Sequence, residues 1–173
     1  MPASAGQFFV GLDATTFSPR IQFGNTDDVY TFNYPPRLKF GYQWGLAGIE
    51  FNVLAPDETT KNVLGAPATV TVDTSYGVYL HLQEEWIYGR VGVTLLDTTF
   101  NRTVADQYEV TAPTVSLGLQ HNFGRHFRIN FGYTYMEGTA NYPNNVAPPS
   151  GDGPISSPKF NYSGFELGFM VLF

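Results

Sequence analysis

Apolar and polar residues alternate along most of this chain with a period of two. Residues 37–44 show it most cleanly, where Leu38, Phe40, Tyr42 and Trp44 interleave with Arg37, Lys39, Gly41 and Gln43. Successive side chains of a β-strand point to opposite faces of its sheet, so such a run predicts a strand with one apolar and one polar face. The pattern recurs along the chain. Phe8, Val10, Leu12 and Ala14 oppose Gln7, Gly11, Asp13 and Thr15, with Phe9 out of phase. Ile49, Phe51 and Val53 oppose Glu50 and Asn52. Val70, Val72, Tyr76, Val78, Leu80 and Leu82 are assigned to one face of a fourth run, and Ile87, Val91, Val93 and Leu95 to one face of a fifth. Val115, Leu117, Leu119 and Phe123 define the sixth, and Phe127, Ile129, Phe131, Tyr133 and Tyr135 the seventh. In the last, Phe165, Leu167, Phe169, Val171 and Phe173 oppose Gly164, Glu166, Gly168 and Met170.

The connections alternate too. Short ones at residues 45–47, 84–85 and 124–126 separate long polar stretches at residues 18–36, 55–68, 97–112 and 137–158, all expected to be loops. The first long stretch still alternates at Ile21, Phe23, Phe32 and Tyr34, so its hairpin is expected to continue to a tip near Asn25, Thr26 and Asp27. Eight strands joined in this way form an all-β, antiparallel up-and-down barrel, one domain over residues 1–173.

Two arguments turn the apolar face outward. An eight-stranded barrel is just wide enough for its interior to be filled by side chains, and it cannot house some four bulky residues from every strand. The polar face instead carries Gly11, Gly41, Gly77, Gly92, Gly118, Gly132, Gly164 and Gly168. Glycine inside a strand weakens it, so glycines kept in one phase point to a crowded lumen. An outward apolar belt of this size suits a bilayer, and closure pairs the backbone. Trp44, Trp86, Phe123, Phe127 and Phe173 then form an aromatic girdle near the short turns, with Phe17, Tyr133, Tyr135 and Phe165 toward the loops. His121 falls in the lipid phase near the Phe123 end, at an expected interfacial position.

Composition fits this picture. Only 14% of residues are charged, mean hydropathy is −0.13, and no run of 18 apolar residues occurs, which excludes a transmembrane helix but not alternating barrel strands. The absence of Cys excludes disulfides and thiolate metal sites. A net charge of −6 speaks against a nucleic-acid partner. Ala3, Ser4 and Ala5 read as the remnant of a signal-peptidase site, with Met1 as an added start.

The last eight residues end in Glu166, Gly168, Val171 and the aromatic Phe173. This pattern resembles the C-terminal sorting signal of bacterial outer-membrane β-barrels, and it implies recognition by the barrel-assembly machinery. In size, loop pattern and terminal signal the chain resembles the small barrels of the OmpA, OmpX and opacity-protein type. That resemblance implies an outer-membrane location and contact with outer-membrane lipid and lipopolysaccharide; the even strand count, with the short turns on the side of the termini, predicts periplasmic termini, and a monomer is the default expectation. Only the last strand matches a motif, so no gate residue of those families is carried over.

Four functional readings follow. Lys39, Glu50, Arg90, Arg128 and Glu166 share the lumen phase, with Asp13, Arg37 and His81 as additions. Charges within a low-dielectric wall must pair, so the set is either a plug that fixes register or a charge gate in a narrow pore. A second reading is uptake of small hydrophobic molecules, as in OmpW-type barrels, along Phe9, Tyr79, Tyr88, Met136, Phe160, Tyr162 and Met170; clustering in the upper half beside an opening in the wall would favour it. A third is surface interaction through acidic, aromatic loops with Asp27, Asp28, Tyr30, Tyr34, Asp57, Glu58, Asp106, Tyr108, Glu109, Tyr142 and Asp152. An enzyme is disfavoured. The lipid-A deacylase barrel uses an outward His-x-Ser pair, whereas here Phe123 stands two residues after His121, and no catalytic set, metal-ligand spacing or cofactor motif is found.

Overall fold

A computed structural model describes residues 6–23, 26–29, 32–63, 66–101, 105–141 and 159–173. Residues 3–5, Asn25, Tyr30, Tyr142 and Asp152 lie outside that set, as do the side chains of Phe17, Tyr34 and Asp106. Ten strand segments occur among the described residues: β1 (Gln7–Phe23), β2 (Thr26–Val29), β3 (Phe32–Trp44), β4 (Ala47–Leu54), β5 (Asp57–Val63), β6 (Ala66–Glu84), β7 (Ile87–Asn101), β8 (Ala105–Phe123), β9 (Phe127–Asn141) and β10 (Lys159–Leu172).

These segments make eight staves. Beyond a register shift between Ala14 and Thr16, β2 and the start of β3 pair with β1 in one register, Arg20 opposite Val29 and Thr16 opposite Asn33, so they are one stave. β4 and β5 pair with β6 in the same way, Leu54 opposite Ser75 and Asp57 opposite Val72. The order β10-β9-β8-β7-β6-β4-β3-β1 closes through an antiparallel β1–β10 pair, from Phe9 opposite Leu172 to Gln22 opposite Lys159. The short turns fall at residues 45–46, 85–86 and 124–126, and Gly45 and Gly124 supply the left-handed backbone (φ 60° and 69°) that two of them need.

The apolar face points outward throughout the middle of the wall. Leu12, Leu38, Phe51, Val78, Val93, Leu117, Phe131 and Leu167 are all exposed, while every alternate residue turns into the lumen. The band runs from Ile87 to Leu95 on β7 and from Phe127 to Tyr135 on β9, about nine residues each, which is the length of a tilted strand crossing hydrocarbon (~9–11). The lumen-phase glycines make room for rings. A β-carbon at Gly118 or Gly132 would strike Tyr88, one at Gly77 or Gly92 would strike Tyr79, and one at Gly41 would strike Phe9.

Three expectations need correction. Much of the long polar stretches is strand: β6 and β8 reach 19 residues each, and residues 57–63 and 97–101 are paired. Polarity marks where the wall leaves hydrocarbon, not where it leaves the sheet, and the Thr-rich segments (Thr59, Thr60, Thr69, Thr71, Thr98 and Thr99) favour extended backbone. Val70 and Val72 do not share a face with Tyr76. The β6–β7 register shifts between Val72 and Thr74, and that extra residue turns both valines inward, buried, while Tyr76 stays outside. The second short turn is at residues 85–86 rather than 84–85, because Glu84 still pairs with Ile87.

Above the band the sense of the wall inverts. Leu54, Val70, Val72, Leu96, Tyr108, Val110, Met136, Phe160 and Tyr162 pack inside as one cluster, while the outward positions become Asp97, Glu109, Glu137 and Lys159. The upper barrel is thus built as in a water-soluble protein, and the lower barrel in the opposite sense.

Candidate functional site: a charged belt across the lumen

The widest gap between what the sequence places in the lumen and what an apolar core tolerates lies at mid-height. Asp13 and Thr15 on β1, Arg37 and Lys39 on β3, Glu50 on β4, His81 on β6, Arg90 on β7 and Glu166 on β10 are buried there. Alternation sends each of them inward, and barrel closure brings all of these strands to one cross-section.

Arg90 is the hub. Its Nη1 donates to Glu50 Oε1 at 2.5 Å, and its Nη2 donates to Glu166 Oε2 at 2.5 Å and to Ser116 Oγ at 3.1 Å. The guanidinium carbon lies 5.4 Å from the Tyr79 ring centre and 5.8 Å from that of Tyr88, within cation–π range of both. Glu166 is the most heavily shared carboxylate: it also accepts from Arg37 Nη2 at 2.5 Å, Tyr88 Oη at 2.5 Å and Thr134 Oγ1 at 2.8 Å. Arg37 reaches Asp13 at 2.7 Å, and Lys39 Nζ lies 2.6 Å from Asp13 and 2.9 Å from Asn130 Oδ1. The belt thus runs Lys39, Asp13, Arg37, Glu166, Arg90, Glu50 without a break. Asp13, Glu50 and Glu166 balance Arg37, Lys39 and Arg90, so 3 − 3 leaves no net charge. A hydroxyl layer adjoins it, with Tyr79, Thr94 and Thr114 linked at 2.6 and 2.8 Å and Ser116 and Thr134 at 2.7 Å.

The predicted set is regrouped in two respects. Asp13 and Arg37 are full members rather than additions, because they link Lys39 to Glu166. Arg128 is not a member. It sits four pairs nearer the short turns than the Glu166–Gly132 pair, opposite Met170, and bonds to Asn122 Oδ1 at 2.7 Å, Gln43 Oε1 at 3.0 Å and Gln83 Oε1. Phase gives a side chain's direction but not its height, and height depends on the stagger between strands. His81 lies beside the belt, its Nδ1 3.6 Å from Glu50 Oε2 and its ring between those of Phe9 and Tyr88.

The other singled-out residues separate by face and height. Trp44, Trp86, Phe123, Phe127 and Phe173 are exposed at the short-turn end, and Tyr133, Tyr135 and Phe165 are exposed higher on the wall. His121 is outward, edge-on to Phe123 at 4.7 Å. Of the terminal-signal residues, Glu166 and Gly168 face the lumen and Phe173 is exposed. The inward apolar residues divide into three: Met136, Phe160 and Tyr162 belong to the upper cluster, Phe9 and Met170 to a lower one with Leu172, and Tyr79 and Tyr88 to the belt. Among the described residues no three His, Asp or Glu side chains form a group that could hold a metal ion.

Sequence alternation gave no sign of an irregularity at the closing seam. The β1–β10 ladder pairs Thr15 with Glu166 and Ser18 with Ser163, and between them the hydroxyl of Thr16 takes over, accepting from Phe165 N at 3.0 Å and donating to Phe165 O at 3.3 Å. Thr15, Arg37, Thr134, Met136, Tyr162 and Glu166 line a cavity of about 10 Å³ behind it, room for roughly one water.

A closed antiparallel eight-stave wall, apolar outside and charged within, defines the small eight-stranded outer-membrane β-barrel, and this chain has that fold. No family model matches the sequence, and no curated protein does. Solved structures do match. The chain is similar to Neisserial surface protein A (14% identity, TM-score 0.59, covering 96% of this chain and 97% of that one). It is also similar to Ail, the attachment invasion locus protein of Yersinia pestis, in its complex with the heparin analogue sucrose octasulfate (14% identity, TM-score 0.52, covering 97% and 99%). A third match is the outer membrane protein OprG from Pseudomonas aeruginosa (16% identity, TM-score 0.51, covering 98% and 96%).

Proposed function

We propose that this chain is an integral outer-membrane barrel with periplasmic termini, that it is not an enzyme, and that it serves a structural or surface-interaction role with its lumen closed at rest by a charge gate. The carrying observation is the sharing of Arg90 between Glu50 and Glu166. A plug needs only balanced charges, but a cation held by two carboxylates from opposite sides, with Arg37 already on one of them, has a second arrangement available: Glu166 kept by Arg37 alone and Arg90 by Glu50 alone. That exchange moves one contact without unpairing any charge. The short turns carry the termini end, which suits the periplasmic side. Glu166, Gly168, Val171 and Phe173 would be read by the barrel-assembly machinery before closure buries Glu166. Lipid and lipopolysaccharide would meet the outer belt of a monomer.

Single-channel recording from the refolded chain in a planar bilayer tests the gate, with Glu166→Ala and Arg90→Ala as variants. Small discrete openings that change in either variant are expected. Silence in all three, with folding shown by strand circular dichroism, would make the belt a permanent plug and leave function to the exterior.

A second reading, passage of small hydrophobic molecules, is favoured by the upper apolar cluster lying directly above the seam bridged by Thr16. The seam is closed here, so passage would require it to part. Saturable shifts of the Met136 methyl resonance on adding benzene, absent for the lower Met170, would support it; parallel shifts at both would count against it.

A further inference from the structure

We propose that the short-turn end of the lumen is a docking site for a small soluble oxyanion, centred on Arg128. The first observation is the charge count. Buried, inward acids among the described residues are Asp13, Glu50 and Glu166, whereas buried, inward bases are Arg37, Lys39, Arg90 and Arg128, an excess of one cation in a protein whose overall charge is −6. The belt consumes all three carboxylates, and Arg128 forms no salt bridge among the described residues.

The second observation is how Arg128 is held. It is 3% exposed and reaches from β9 across the lumen to Gln43 on β3 and Gln83 on β6, while Asn122 on the neighbouring β8 fixes Nε. Every one of these partners is a neutral amide that offers its carbonyl oxygen. Orientation is therefore fixed and charge is not compensated. Nη2 has no partner among the described residues, nor is it sealed among the fully buried unpartnered atoms. The amide nitrogens of Gln83 and Asn122 are likewise without a partner among the described residues. A planar cation with an unused donor, held only by neutral carbonyl oxygens and short of one negative charge, is the chemistry that takes a phosphate- or carboxylate-like anion. An unpaired buried charge is costly, and an anion at this mouth relieves that cost where the protein supplies no carboxylate. The same chemistry could be met by a lipid phosphate, but the inward phase of Arg128 places it on the aqueous side of the wall.

The test is nuclear magnetic resonance of the refolded chain in maltoside micelles, which contain no phosphate, titrated with inorganic phosphate at constant ionic strength. A saturable shift is expected at Arg128 Nε–Hε and at the Gln83 and Asn122 side-chain amides, with half-saturation on the order of 1–10 mM and no matching shift at Arg37 or Arg90. In Arg128→Gln the response of the two amides should weaken at least roughly tenfold, and Arg128→Lys should keep part of it, each variant being checked for folding by circular dichroism. Absence of saturation, equal shifts at Arg37 and Arg90, or an unchanged response in Arg128→Gln would overturn the proposal. A second arm uses phosphatidylglycerol nanodiscs without free phosphate. Resonances already at the bound position there would assign the site to a headgroup and overturn the soluble ligand.

Discussion

Neutralising Glu166 should unbalance the whole belt, and restoring the balance elsewhere should recover much of the loss. Glu166→Gln keeps the shape of the side chain but leaves Arg37, Lys39 and Arg90 against Asp13 and Glu50 only, one cation in excess. Breaking a buried ion pair by removing one partner costs about 3–5 kcal/mol. The four donors on Glu166 (Arg90, Arg37, Tyr88 and Thr134) place this case toward the upper end. Arg90→Gln produces the mirror imbalance, one anion in excess, and also forfeits the stacking on Tyr79 and Tyr88. The double variant has two charges of each sign. It should therefore cost less than the sum of the single variants by on the order of 2–3 kcal/mol, the upper range of coupling for contacting residues. Equilibrium urea unfolding in phospholipid vesicles measures this. Trp44 and Trp86, exposed at the short-turn end, report the transfer of the barrel from lipid to water. Additive losses within about 0.5 kcal/mol, or a cost below about 1 kcal/mol for Glu166→Gln alone, would refute a coupled belt and leave a set of independently hydrated charges.

Two further outcomes are expected. Gly132→Ala should cost about 1–3 kcal/mol by overpacking, because its β-carbon would meet the Tyr88 hydroxyl and, less closely, the Leu117 carbonyl, and part of the cost should disappear in a Tyr88→Ala background; equal costs in the two backgrounds would show that Tyr88 is not what the glycine accommodates. Leu96→Ala, inside the upper cluster, should lose about 2–5 kcal/mol, whereas Leu95→Ala, one residue away on the outer face, should lose far less, and similar losses in vesicle unfolding would contradict the inversion of the wall.

Much of this architecture is legible in the residues themselves. Alternation gives the direction of Glu50, Arg90 and Glu166, and the phase shared by Gly118 and Gly132 announces a crowded lumen before Tyr88 is known to fill it. What alternation cannot carry is any count that a bulge changes: the extra residue near Asp73 turned Val70 and Val72 to the opposite face. Nor does it carry height. Arg128 and Arg90 share a phase, but stagger between strands places one at the mouth and the other at the hub. Partner choice follows from height, so the balance of three acids against three bases emerged only from the closed barrel. The extent of the strands was misread for a different reason. Residues such as Gln107 and Glu109 are polar because water lies outside them, and polarity on the outer face says nothing about whether the backbone is paired.

The reversal of the wall at Leu95 and Leu96 acts as a depth gauge. Below that line the outer surface is Phe, Val and Leu; above it stand Asp97, Glu109 and Glu137. Sinking the barrel by one pair of residues would drag those carboxylates toward hydrocarbon, at up to a few kcal/mol apiece, and raising it would wet Leu95 and Phe165 at the upper edge of the band. Both displacements are opposed at once around the circumference. The chain therefore encodes not only a shape but a waterline, and whatever the upper barrel presents is held at a constant height above the membrane.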